Sequence, residues 1–167
     1  MGISMFLKFE EPAVRGSSTA AGHGGDIEVL SWNHGFSQPT SPTRSTAGGG
    51  GVEQASHSNF TFAKYLDSAT NDLLKYCWKG DRFGKVTLTC YRADGATDGK
   101  PEAYLTVIMQ HVVIADYAVT GGPGDVPVEN VSLDYGIVQY DYKAKSEPDT
   151  ADASRPAKHD LQTGTIE

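Results

Sequence analysis

The stretch VENVSLDYGIVQYDY, residues 128–142, decides the fold of this 167-residue chain. Its first half alternates apolar and polar side chains, with Val131 and Leu133 in one phase. After Gly136 the apolar phase moves to Val138 and the aromatic residues that follow it. A period of two is typical of a β-strand with one face in the core, and a glycine at a phase change indicates a β-bulge. We therefore predict one long, bulged strand.

The same period recurs on both sides of this stretch. Further strands are predicted at 5–9, 27–32, 59–64, 85–92 and 102–119. The strand at 102–119 is apolar in both phases, which is typical of a strand that is central or that meets another subunit. Many antiparallel strands around one helix bury their faces by closing into a barrel or by packing two sheets. The fold class predicted is mainly β, an antiparallel β-barrel of two sheets with one flanking α-helix.

The single helix is predicted after the strand at 59–64. Asp67 or Ser68 can cap its first turn, because a short side-chain oxygen accepts hydrogen bonds from free backbone amides. Leu73 and Cys77 lie four residues apart on its apolar face, and Gly80 is a plausible C-terminal stop.

Three segments lack apolar periodicity. Residues 11–25 are rich in Gly, Ser, Ala and Thr and are expected to be a flexible connection. Residues 35–57 form an unusually long loop, which makes them a candidate contact surface. Residues 146–167 are polar and are expected to be a loosely held tail. The predicted organisation is a barrel domain over 1–145, with the extended loop 35–57, followed by this tail.

Composition limits the partners. Asp and Glu number 21 against 14 Lys and Arg, giving a net charge of −7, which argues against nucleic acid as the main partner. Cys77 and Cys90 have no metal-ligand spacing and are expected to be free thiols rather than a disulfide. No apolar stretch approaches membrane-spanning length, and the N-terminus does not read as a signal peptide.

No catalytic, cofactor or metal site is predicted. His23 and His57 lie in Gly and Ser-rich loops and His159 lies in the tail, so their side chains are expected to be exposed to solvent. His111 shares a strand phase with Met109 and is expected to be partly buried and hydrogen-bonded. No nucleophile stands beside a base, and no glycine-rich loop is followed by the Lys-Ser or Lys-Thr of a phosphate cradle.

Several segments together resemble the haemolysin co-regulated protein (Hcp) family. They are Ile27–Trp32, Phe62–Asp67, Lys85–Thr89, Thr120–Gly122, and Glu129–Tyr135 continued to Tyr142. Each motif is modest, but their order and spacing match the family from about residue 3 to residue 145.

The resemblance implies a homohexameric ring and a structural role, not an enzyme. Rings of this family stack into a hollow tube in the type VI secretion system, which carries or protects effectors in its lumen. The implied partners are other copies of the chain, effectors, and sheath and spike components. The implied route is from the bacterial cytoplasm to the outside without a signal peptide, and no cofactor or membrane anchor is implied.

The resemblance also implies two sets of site residues. Ser31 and Asn33 fall on the family's lumen-facing strand, where small polar side chains would leave the bore open. The loop 35–57 corresponds to the extended loop that reaches the neighbouring ring. The ring-stacking residues predicted in it are Arg44, Gly48, Gly49, Gly50 and Gly51.

Two rival functions stay open at this point. The first is a monomeric β-barrel that binds a small molecule in an apolar cavity. The second is a hydrolase, which lacks a nucleophile and base set. A native mass measurement separates the ring from the monomeric barrel.

Overall fold

Twelve strands and one helix make up the described part of the chain, which in this computed structural model comprises residues 4–39, 55–92, 102–143 and 156–167. In chain order they are β1 (Ser4–Glu10), β2 (Ile27–Glu28), β3 (Ser31–Asn33), β4 (Phe36–Ser37), β5 (Ser56–His57), β6 (Phe60–Tyr65), α1 (Thr70–Lys79), β7 (Arg82–Arg92), β8 (Glu102–Thr120), β9 (Val128–Asp134), β10 (Ile137–Tyr142), β11 (Ala157–Asp160) and β12 (Thr165–Ile166).

The barrel is built on β8, the longest strand, which has partner strands along both of its edges. One edge of β8 pairs with β7; its other edge pairs first with β10 and then with β9. β1 continues the sheet from β7, and β6 continues it from β9. The segment 27–33 closes the barrel, because β2 pairs with β1 and β3 pairs with β6. All these pairs are antiparallel, so the predicted two-sheet barrel with a flanking helix is confirmed.

Apolar side chains fill the barrel interior. The largest of them are at most 1% exposed: Leu7, Phe9, Ile27, Phe60, Phe62, Leu73, Phe83, Leu88, Met109 and Leu133. Leu73 belongs to α1 and the others to strands, where those of β1 and β6 alternate as the period of two predicted. Their packing is edge-to-face in part, with the rings of Phe9 and Phe83 4.9 Å apart.

The two apolar phases of β8 have one cause, a phase change at His111. Val107 and Met109 are fully buried before it, and Val112 and Ile114 are buried after it. His111 has a φ of 55°, and this left-handed residue interrupts the alternation. Each half of β8 therefore uses a different phase to face the same core. The prediction that this strand is central agrees with its partners on both edges, but its two apolar phases do not produce two buried faces.

The predicted bulge at Gly136 is a break between two strands. β9 ends at Asp134 and β10 begins at Ile137, while the Gly136 N–H donates to the Gln110 carbonyl at 3.0 Å. A Cβ on Gly136 would lie 3.4 Å from the His111 Cβ. The phase change in the long stretch 128–142 therefore lies opposite the phase change in β8.

The helix begins at Thr70, later than the predicted caps. Asp67 and Ser68 do not cap it; the N-cap is Ala69, which has no side-chain oxygen. The Asp67 carboxylate accepts from the Ala69 N–H at 2.9 Å, so it acts on the turn before the helix. Gly80 ends the helix with a φ of 69°, as predicted.

Two segments expected to be loose are paired in the structure. In 11–25, the Gly16 N–H donates to the Gly25 carbonyl at 2.7 Å and the Gly25 N–H donates to Ser18 at 2.9 Å. In the predicted tail, β11 pairs with β10 and β12 pairs with β11. Backbone pairing therefore extends the sheet over residues 157–166, although the sequence there has no apolar pattern. The expectation of a loosely held tail does not hold for these residues.

Candidate functional site

The outer surface of β3, β6, β9 and β8 forms a continuous face of short side chains. In one row across the four strands, Ser31 lies beside Ala63, Asn130 and Ala118. In the next row, Asn33 lies beside Thr61, Ser132 and Asp116. We call these eight residues the small-side-chain face. It carries one charged residue, Asp116, and no lysine, arginine or glutamate.

Ser31 and Asn33, the two lumen-facing residues predicted from sequence, both lie on this face and are exposed. Their phase depends on the step from β2 to β3. In β2 and just after it, the odd-numbered residues Ile27 and Val29 point into the core. Leu30 is 43% exposed, and in β3 the even-numbered Trp32 packs against the core instead. Trp32 stacks on the ring of Phe60 at 5.6 Å, which holds its neighbours outward.

A buried ion pair lies directly beneath the small-side-chain face. Lys64 and Glu129 are fully buried, and the Lys64 ammonium pairs with the Glu129 carboxylate. The same ammonium donates to Asp67 Oδ1 at 2.9 Å and to the Tyr65 carbonyl at 3.2 Å. Burial and the nearby Glu129 carboxylate raise the pKa of Tyr117. These contacts tie β6, β9 and β8 to the turn that leads into α1.

Sequence reasoning missed this pair, although a signal was present. Lys64 shares the inward phase of Phe60 and Phe62, and Glu129 shares that of Val131 and Leu133. A charged residue at an inward position of two paired strands predicts a buried partner of opposite charge. The register that places Lys64 beside Glu129 is a tertiary property.

A second cluster joins the β4–β5 pair to the barrel. His34 Nε2 and His57 Nδ1 each lie 2.7 Å from the hydroxyl of Tyr135, and His57 Nε2 lies 2.8 Å from His159 Nδ1. His34 Nδ1 is hydrogen-bonded to the hydroxyl of Tyr140. We call these five residues the histidine–tyrosine cluster.

Burial sets the protonation of this cluster. It lowers the pKa of His34 to about 4, helped by repulsion from His57. Burial and then His159 lower the pKa of His57. Burial also raises the pKa of Tyr140 to about 12. His34, His57 and the two tyrosines are therefore neutral near pH 7.

The histidine expectations were largely wrong. His57 is half-buried in the cluster and His159 is 8% exposed. His23 is half-buried too: it stacks on Phe6 at 4.5 Å and its Nδ1 lies 2.7 Å from Asp26 Oδ2. His111, expected to be partly buried, is exposed. Each partner is distant along the chain or created by a turn, so sequence spacing could not reveal it.

Further apolar side chains are exposed at one end of the barrel, where β6 ends and β8 turns into β9. Tyr65 is 50% exposed, Val119 50% and Val126 59%. Leu66 is next to them, with its N–H donating to the Pro127 carbonyl at 3.4 Å. We call Tyr65, Leu66, Val119 and Val126 the apolar rim. Grouped exposed apolar residues are typical of a contact surface.

A cleft of about 480 Å³ lies on the outer side of β1 and β7. Cations and anions line it together, including Lys8, Arg15, Lys85, Glu10 and Asp26. It is not the apolar cavity inside the barrel that a small-molecule carrier requires, since that interior is filled.

Arg44, Gly48, Gly49, Gly50 and Gly51 lie outside the described residues. Cys77 and Cys90 are free, and burial raises the pKa of Cys90. Across the described ranges, no three His, Cys, Asp or Glu side chains converge in a way that could hold a metal ion. In the same ranges no helix has the length and apolar character to cross a membrane.

A family model and a curated relative both match this chain to Hcp proteins. A family model described as "Type VI secretion system effector, Hcp" matches residues 6–142. The protein hcp1 of Pseudomonas aeruginosa is 32% identical over 157 residues, which cover 93% of this chain and 90% of that protein.

Solved structures show the same similarity. The crystal structure of Hcp1 from Salmonella typhimurium matches with a TM-score of 0.79 and 25% identity, over 100% of both chains. A type VI secretion system effector from Yersinia pestis matches with a TM-score of 0.73 and 26% identity, over 93% of this chain and 98% of that one.

Proposed function

Because the chain belongs to the Hcp family of type VI secretion system tube and effector proteins, we propose that six copies form a ring and that the rings stack into a hollow tube. The exported tube carries effectors in its lumen. The observation that supports this most directly is the small-side-chain face, which we assign to the wall of the bore.

The composition of that face is unusual for a solvated surface. Exposed strands normally carry long charged side chains, which keep a monomer soluble and block pairing at its edges. Ser31, Asn33 and their neighbours are short, and among the eight only Asp116 is charged. Side chains of this size leave a passage open and present hydrogen-bonding groups to a protein cargo.

Lateral contact between copies is assigned to surfaces such as the apolar rim. A group of half-exposed apolar side chains is costly in water and is covered by another chain in an assembly. The loop 35–57, with Arg44 and Gly48–Gly51, is assigned to contact with the next ring. Deleting Gly48–Gly51 is expected to weaken stacking and to leave the single ring intact.

The other parts of the proposal follow from the family role. Effectors are the lumen partners, and sheath and spike components contact the tube. The chain starts in the bacterial cytoplasm and leaves through the type VI machine. Its role is structural, as in the secreted tube proteins of the family, and no reaction is assigned to it. No observation favours the small-molecule carrier, since the barrel interior is filled by side chains such as Phe60 and Phe62.

Native mass spectrometry with negative-stain microscopy tests the ring. The expected result is a particle of six times 17.9 kDa, seen as an annulus with a central hole. The variant Val126→Asp should shift the mass toward single chains, because a carboxylate cannot be covered in an apolar contact without a partner. Asp125→Asn, which removes a carboxylate at the neighbouring exposed position without adding one, is the control. A single-chain mass for the unaltered protein at high concentration would overturn the proposal.

A further inference from the structure

The β4–β5 ribbon, Phe36–Ser37 paired with Ser56–His57, forms a sheet of its own. Among the described strands it pairs with no strand of the barrel. Ser58 closes its base, with its N–H donating to the Gly35 carbonyl at 2.9 Å. The ribbon is therefore held to the barrel by side chains, and the histidine–tyrosine cluster supplies them.

Five side chains from separate parts of the chain meet in this cluster. His34 precedes β4 and His57 ends β5, while Tyr135 and Tyr140 belong to the β9–β10 region and His159 to β11. Phe36 packs on both ribbon histidines, with ring centroids 4.4 Å from His34 and 4.9 Å from His57. Removing these contacts leaves the ribbon without its attachment to β10 and β11.

The four hydrogen bonds of the cluster can all be made with at most one protonated imidazole. A neutral imidazole has one donor and one acceptor nitrogen, so a chain of three imidazoles and two hydroxyls can satisfy every bond. One extra proton is accommodated by turning the hydroxyls. A second sets two N–H groups against each other between His57 and His159, or leaves the Tyr135 hydroxyl without an acceptor. Either outcome costs a buried hydrogen bond.

Few opposite charges compensate a proton in the cluster. Each hydrogen-bonded ring nitrogen described above faces a tyrosine or another histidine. The Ser58 carbonyl favours the charged form of His34. The charged side chains next to cluster members on β9, β10 and β11 are Asp134, Asp141, Lys158 and Asp160. β4, β5 and β6 bring no carboxylate, and their contacts with the cluster are Phe36 and Phe60.

We propose that the histidine–tyrosine cluster is an acid-sensitive latch, which holds the β4–β5 ribbon on the barrel at neutral pH and releases it when two of its histidines are protonated. Its link to assembly rests on the proposed function, in which the segment 35–57 contacts the neighbouring ring. Acidification would then release ring stacking before the barrel unfolds.

The direction of the pH dependence follows from the histidine pKa values. His34 has a pKa of about 4 in the docked state, against an ordinary value of 6.5. The released ribbon therefore binds protons that the docked ribbon excludes. The stabilisation of the docked state is complete above pH 6.5 and is lost as the pH falls toward 4.

Hydrogen–deuterium exchange tests the latch on the full-length chain between pH 7.5 and pH 4.5. Exchange in peptides covering β4 and β5 is compared with exchange in β7, which corrects for the chemical effect of pH. We expect ribbon protection, relative to β7, to fall at least about tenfold on acidification, since one unit of differential titration changes an equilibrium tenfold. Protection should return when the pH is restored.

Variants separate the latch from general acid sensitivity. The double variant His34→Gln/His57→Gln cannot take up the protons, so its ribbon exchange should not change with pH. Tyr135→Phe removes the shared hydroxyl and should expose the ribbon already at pH 7.5. His111→Asn removes an exposed histidine outside the cluster at a positive φ that asparagine tolerates, and it should behave as the unaltered chain does. Ribbon protection that is constant with pH, or an equal acid response in the double variant, would overturn the latch.

Native mass measurements on the same samples keep the two proposals apart. An acid-sensitive ribbon in a chain that never forms rings would retain the latch and reject the tube role. Rings whose ribbon protection does not change with pH would support the tube role and reject the latch.

Discussion

At the scale of single residues, buried charge is the most demanding feature of this barrel. Lys64 and Glu129 are both at 0% exposure, and Asp67 and Tyr117 complete their surroundings. Removing ions from water is expensive, and only close pairing with further hydrogen bonds offsets that cost. The pair therefore specifies how β6, β9 and the start of α1 meet, rather than simply adding stability.

Glu129→Gln tests this view. It leaves the Lys64 ammonium buried with one carboxylate fewer, so the free energy of unfolding should fall by about 3 kcal/mol or more. Urea unfolding at a fixed protein concentration measures it. The double variant Lys64→Met/Glu129→Leu removes both charges and should recover much of the loss. A loss below about 1 kcal/mol in the single variant is expected only of an exposed pair, and would show that this one is not fully desolvated.

At the scale of elements, the segment 11–25 is an ordered, hydrogen-bonded connection beside the sheet rather than a flexible linker. Its Gly16 lies so close to the backbone of Asp26 that a Cβ there would be 2.5 Å from the Asp26 carbonyl oxygen. Ser18 is 5% exposed, and its N–H donates to the same carbonyl at 3.1 Å. The glycine is therefore required by a close approach of two backbone segments, which composition alone does not reveal.

Gly16→Ala should destabilise the chain by about 1–3 kcal/mol, because the new methyl group meets backbone that cannot move aside. Gly24→Ala is the matched control: it lies in the same segment, and a Cβ there meets nothing within 4 Å. Its effect should be close to zero. Thermal unfolding of the two variants gives the comparison, and equal melting temperatures would contradict the close approach.

At the scale of the whole molecule, the barrel presents surfaces of different character. The small-side-chain face carries short, mostly polar side chains, the apolar rim is exposed at one end, and the β4–β5 ribbon contacts β10 and β11 through side chains. A single solvated chain has no need of this division. In the proposed tube the three surfaces would form the wall of the bore, the contact between copies and the contact between rings.

Asn33→Trp tests the assignment of the bore. A large ring on the small-side-chain face should narrow the passage, so effector export should fall while rings still form. Export of effectors from cells that carry the variant is the measurement. Lys79→Trp places the same ring at the end of α1, away from this face, and should leave export unchanged. Normal effector export with Asn33→Trp would place Asn33 outside the bore.

The sequence alone determined the β class, the single helix with its stop at Gly80, the inward sides of most strands and the family. All of these depend on hydrophobic periodicity and on motifs that span a few residues, and both are present in the sequence itself. The outward phase of Ser31 and Asn33 followed from the family motif.

Only the tertiary structure decided which distant groups meet. His57 and His159 are 102 positions apart and still share a hydrogen bond, and Lys64 finds Glu129 only through the register of β6 and β9. The sequence of β8 is apolar in both phases, but the φ of 55° at His111 shifts the alternation, so both halves of the strand face the same core. β11 and β12 have little apolar pattern, so their order comes from backbone pairing with β10 and from His159. Which side chains meet, the strand register and the backbone pairing are properties of the folded chain. For that reason the contacts of the histidine–tyrosine cluster could not be predicted from the sequence.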